Sequence, residues 1–128
     1  MSLRPYNLGL MEGRLEVERL NVKGYTVLCF KGPVTTFNVF VFLTAIKRDE
    51  NLPRVILDLS DVPYIDSTAL GALVSAYVSR QKVGGQVILS DISEREAKML
   101  RITSVDKLFL AFQTLEGAIG KMTGAGAA

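Results

Sequence analysis

The chain has 128 residues, 48% of them hydrophobic, and its 15 basic and 13 acidic residues leave a formal net charge of +2. That suits one domain with one compact core, and the interspersed charges make none of the basic stripe a nucleic-acid binder needs. With one cysteine, Cys29, and no histidine, disulfides, Cys/His zinc sites and histidine-based catalysis are excluded together, and a cytoplasmic location is expected.

Residues 1–13 are expected to be a tail and residues 123–128, Gly/Ala-rich, a flexible C-terminal tail, which leaves 14–122 as the domain. Residues 14–20 (RLEVERL) alternate polar and apolar, and 25–31 (YTVLCFK) are β-branched and aromatic. With the turn residues Asn21-Val22-Lys23-Gly24 between them, they predict a hairpin. Gly32-Pro33 ends it. Thr35 or Thr36 is the expected cap of a helix that runs to about Asp49, before Leu52-Pro53 forbids continuation. The apolar stretch 39–46 in this helix is far short of the ~20 residues of a membrane span, so no membrane association is expected.

That helix is apolar on two sides. Val39, Phe42, Leu43 and Ile46 form a face for the sheet. Phe37, Phe40 and Val41 form another, which implies cover by residues 6–11 or a second interface with a partner or a second copy.

Residues 54–59 (RVILDL) read as a strand buried on both faces. From Leu70 the spacing of Leu70, Leu73, Val74 and Tyr77 is helical, and Gly84-Gly85 ends the helix. Residues 86–89 (QVIL) form the next strand, and Ser93-Glu94-Arg95-Glu96 is a capping box opening another helix. A last strand is expected over 107–112 (KLFLAF), with Thr114 starting a short final helix. The order β-β-α-β-α-β-α-β-α implies an α/β domain with a mostly parallel sheet, and function in loops at the carboxyl ends of strands.

One such loop is Tyr64-Ile65-Asp66-Ser67-Thr68. Asp66 or Ser67 serves there as a helix N-cap. A helix start also tolerates a phosphate, so Ser67 is the candidate acceptor, with Thr68 the alternative. The helical wheel sets Thr68, Ala72, Ser75 and Ser79 opposite the large apolar residues, an all-small stripe that lets a partner's backbone come close. Gly71, inside the helix, calls for close contact either with the sheet or with a partner.

Residues 55–109, from the apolar strand through Asp66-Ser67-Thr68-Ala69-Leu70-Gly71 to Gly84-Gly85 and beyond, resemble the STAS family, especially bacterial anti-sigma factor antagonists. In element order the likeness covers residues 14–118. It implies that Ser67 is phosphorylated by a partner that is both serine kinase and anti-sigma factor, with a phosphatase as a further partner. The unphosphorylated form binds that partner and frees the sigma factor. Asp66, Ser67, Thr68, Ala72, Ser75 and Ser79 would form the partner-binding surface. Two positions depart from the family pattern: Thr35 stands where an aspartate is common, and Thr68-Ala69 replaces the commoner Ser-Gly.

A non-phosphorylated STAS scaffold subunit of a transport or stress-signalling complex is the alternative reading. A phosphoaspartate receiver fits less well. Asp58 follows a buried strand, but the first two strands end in Asn21 and Lys31 rather than an acidic pair, and no lysine follows the last strand. The sequence offers no nucleophile–base pair, phosphate loop or metal cluster, so neither enzymatic activity nor a cofactor is expected.

Overall fold

The computed structural model describes residues 14–48 and 54–127. The expected N-terminal tail and its segment 6–11, the helix end near Asp49 and the Leu52-Pro53 stop lie outside these residues. Among the described residues five strands form one sheet in sequential order, β1 (Glu16–Val22), β2 (Tyr25–Lys31), β3 (Arg54–Asp61), β4 (Gln86–Ser90) and β5 (Leu110–Phe112). β1 and β2 are antiparallel and all later pairs are parallel. Lys23 and Gly24 carry the hairpin at φ 53° and 87°, the two positive values that a two-residue turn of this twist demands.

Among the described residues four α-helices connect or follow the strands: α1 (Val39–Lys47), α2 (Ser67–Lys82), α3 (Glu94–Ile102) and α4 (Leu115–Ala127). Period-two alternation in the central strands supplies both cores. Leu28, Leu57 and Leu89 pack in one cluster with Phe42, Leu73 and Leu100 of α1, α2 and α3. Their neighbours Val27, Ile56 and Ile88 face the other way, towards Ala118 and Ile119 of α4.

Local signals in the sequence mostly hold. α2 closes with Gly84 at φ 73°, its N–H donating to the Gln81 carbonyl while the Gly85 N–H donates to the Arg80 carbonyl, the paired bonds of a Schellman end. At α3 the Ser93 side chain accepts from the Glu96 N–H and the Glu96 carboxylate accepts from the Ser93 N–H, which completes the capping box.

Three expectations are corrected. The last strand is only Leu110–Phe112, because Asp106–Leu108 forms a 3-10 turn that sends Phe109 into the core. α4 continues as far as Ala127, into the stretch where composition suggested a tail. Neither Thr35 nor Thr36 caps α1, which starts after Asn38. The Thr35 hydroxyl accepts from the Phe37 N–H, and the Asn38 amide spans Thr35 and Pro33 in a turn of its own.

Candidate functional site

The loop after β2 and the loop after β3 run side by side. The Gly32 N–H donates to the Asp61 carbonyl, Val34 to Tyr64 and Asp66 to Val34 at 3.0, 3.2 and 3.1 Å, with a parallel bridge between Val34 and Ile65. Gly32 is required for this course: φ is 117° and a Cβ there would collide with the Arg14 carbonyl oxygen. The two loops therefore behave as one unit that presents the start of α2.

Asp66 is the N-cap of α2. Its Oδ1 accepts from the Ala69 N–H at 2.9 Å, and its Oδ2 accepts from the Thr36 N–H at 2.9 Å and the Thr36 hydroxyl at 3.3 Å. A 2.8 Å bond between the Thr36 and Thr68 hydroxyls closes the network. Burial pushes the Asp66 carboxyl up, but the hydrogen bonds from Ala69, Thr36 and Thr68 outweigh it and hold the group below the ordinary aspartate value. Its charge is thus kept, and shared with the helix end.

Ser67, the first residue of α2, is exposed and takes no part in that network. Asp66 and Thr68 are committed to holding the loops, whereas Ser67 is exposed and free of them. The sequence marks Thr36 only as a candidate cap of α1, not as a member of this loop network, because its partners lie 30 and 32 positions away.

Asp66, Ser67 and Thr68 stand together at the start of α2 and Ser75 is exposed about two turns on, but Ala72 is removed from the expected surface. Ala72 is buried in the core, because α2 packs on the sheet and beside α1 and so buries a wider arc than one opposed to its large side chains. Gly71 takes its place: it is exposed, and no atom lies within 4 Å of where its Cβ would stand. Close contact with the sheet is therefore not the reason for this glycine. Ser75 is exposed and Ser79 half-buried, and both line a crevice of about 10 Å³ against Leu43, Ile46 and Lys47 of α1.

Phe37 and Phe40 are 92% and 77% exposed and Val41 40%. Phe37 follows Thr36 directly, so these phenyls begin beside the Ser67 loop. Among the described residues no group of three or more Asp, Glu, Cys or His side chains is arranged to hold a metal ion, and no helix is long and apolar enough to cross a membrane.

The profile of the STAS domain family matches residues 16–118. An anti-sigma factor antagonist homologue from Thermotoga neapolitana is 33% identical over 88 residues, 69% of this chain and 76% of that protein. The phosphorylated form of the Bacillus cell fate determinant SpoIIAA superposes with a TM-score of 0.65 at 17% identity, covering 85% of this chain and 99% of that one. The same fold occurs in the murine anion transporter solute carrier 26 family member A9, with a TM-score of 0.75 and 14% identity over 92% of this chain but 24% of the transporter. A sheet of this order, the paired loops before α2 and the family match over nearly the whole described chain lead to one assignment: the protein belongs to the STAS domain family.

Proposed function

We propose that this protein is an anti-sigma factor antagonist, a phosphorylation-switched binding module rather than an enzyme, with Ser67 as the phosphoacceptor. One observation carries the reading: at the start of α2 the oxygens of Asp66 and Thr68 are tied to Thr36, and Ser67 is left exposed beside Gly71. The relatives named as anti-sigma factor antagonists support the same role. The partner is an anti-sigma factor that is also a serine kinase, and a phosphatase resets the switch.

The physics places the switch at the interface rather than in the fold. Phosphate adds about −1.5 to −2 charge. The helix N-terminus attracts it by about 0.3–1 kcal/mol, and ionised Asp66 next to it opposes that attraction. Fold stability therefore hardly changes. A partner closing over the exposed strip of Ser67, Gly71 and Ser75 must strip water from the dianion, which costs several kcal/mol, and each 1.4 kcal/mol is tenfold in affinity.

The test uses the cognate kinase recovered from the native cell. Ser67→Ala keeps partner binding and becomes insensitive to kinase with ATP, while peptide mass spectrometry of the unaltered chain finds the phosphate on Ser67. Phosphate on Thr68, or none, overturns the assignment. A second reading has its own observation. Thr35, where the family often has aspartate, is buried in a turn and presents no acid to a kinase. A scaffold role without phosphorylation accounts for that, and the outcome with no phosphate but retained binding selects it.

A further inference from the structure

A shallow groove of about 370 Å³ lies between α1 and the hairpin, and Ser67 is not among the residues that line it. Its origin is topological. α1 leaves β2 and must run back to feed the parallel strand β3, so it lies antiparallel to β2 and in the same direction as β1. α1 packs against β2 through Phe42 and Phe30, whose ring centroids are 4.8 Å apart. β1, at the sheet edge, then extends beyond the helix, and the step between them is the groove.

The shared direction of β1 and α1 sorts the lining by chemistry. At the end where both begin, Val17, Phe40 and Val41 make an apolar wall, and the floor continues along the groove with Leu28, which pairs with Arg19 in the sheet, and Ala45. Two residues further along β1 is Arg19, and one to two turns further along α1 are Thr44 and Arg48, so the two arginines that line the groove both stand past its apolar beginning. The described residues that line the groove include no carboxylate. An apolar slot with cations at one end is complementary to a ligand with an apolar tail and one anionic head. Arginine's planar fork matches a carboxylate in particular. The volume falls within the ~300–1,000 Å³ of small-molecule sites, which are mostly apolar with a few orienting polar groups.

We infer that the groove between α1 and β1 binds a small aliphatic carboxylate, its tail along Val17, Leu28, Val41 and Ala45 and its head between Arg19 and Arg48. The site is separate from the Ser67 surface and stands whether or not Ser67 is phosphorylated.

The probe is decanoate, titrated below its micelle threshold into the full isotope-labelled chain and followed by amide chemical shifts. Saturable shifts at Val17, Val41, Ala45 and Arg48 are expected, with none from acetate, which has the head but no tail. Decyltrimethylammonium, with the same tail and the opposite charge, should bind at least about tenfold more weakly, the worth of one charge-assisted hydrogen bond. Arg48→Glu, checked for native circular dichroism, should weaken decanoate by at least the same factor.

Equal binding of the two amphiphiles, shifts confined to another face, or no saturable binding overturns the inference. So do two results that would give the groove another occupant. The first is concentration-dependent sedimentation abolished by Phe40→Asp, which assigns the face to a second copy. The second is a set of nuclear Overhauser contacts from residues 1–13 to Val41, which assigns it to the chain's own beginning.

Discussion

Gly71 offers the cleanest separation of fold from function. A glycine inside a helix costs about 0.8–1 kcal/mol relative to alanine, and at this position a Cβ would meet nothing within 4 Å. Gly71→Ala should therefore stabilise the isolated domain by most of that amount. For a domain near 100 residues this raises Tm by about 4–8 °C. Gly71→Leu should gain nearly as much, since leucine is close to alanine in helix propensity and the site is exposed. Binding should move the other way. If a partner's backbone closes on the strip from Ser67 to Ser75, a leucyl side chain must be accommodated in a packed interface, at a cost of about 1–3 kcal/mol, or about 5- to 150-fold in affinity. Thermal melts of the free protein and calorimetric titration with the recovered partner read the two effects separately. A lower melting temperature for Gly71→Ala would refute the open-surface argument. Unchanged affinity for Gly71→Leu would refute the docking face, even with Ser67 phosphorylated as proposed.

Two further predictions concern buried charged residues. Arg80 of α2 is 1% exposed and its Nη2 donates to the Ile46 carbonyl at the end of α1 at 3.2 Å; Arg80→Ala should cost about 3 kcal/mol in urea unfolding through the lost bond and the cavity, and a change under about 0.5 kcal/mol would refute that role. Burial pushes the Glu96 carboxyl above its ordinary 4.5, against the lowering effect of its bonds with Ser93, and its Oε2 has no hydrogen-bond partner. The folded state then holds the proton more tightly than the unfolded chain, so this group's contribution is full below the ordinary value and is lost as pH rises through the folded value. Glu96→Gln keeps an acceptor for the Ser93 N–H and should flatten the fall in stability that sets in as pH rises above the ordinary glutamate value, with stability at neutral pH equal or higher; an unchanged slope refutes it.

What was legible in the sequence was local, and what was not depended on residues far apart in the chain. Lys23-Gly24, Ser93 with Glu96 and Gly84-Gly85 act within a few residues, and each does in the structure what its chemistry implied. The same holds for Asp66, a cap by type and by position. The helical wheel of α2 failed at Ala72 for a physical reason. Ranking faces by side-chain size assumes one buried direction, but α2 is covered by the sheet below and by α1 at its side. Small residues are favoured where helices approach, so Ala69, Ala72 and Ala76 are buried while the larger Val78 is 46% exposed. The strip left open is narrower than the wheel suggested and is centred on Gly71 between Ser67 and Ser75. Thr36 was read as a candidate cap rather than a loop tie for a related reason: its meaning lies in Asp66 and Thr68, and only the parallel course of the two loops brings them together. That course links the candidate switch to α1, because the turn which offers Thr36 to Asp66 continues directly into exposed Phe37. A partner seated on Ser67 meets that phenyl first, and Thr36→Val should accordingly disturb the placement of both loops while leaving the Ser67 hydroxyl intact.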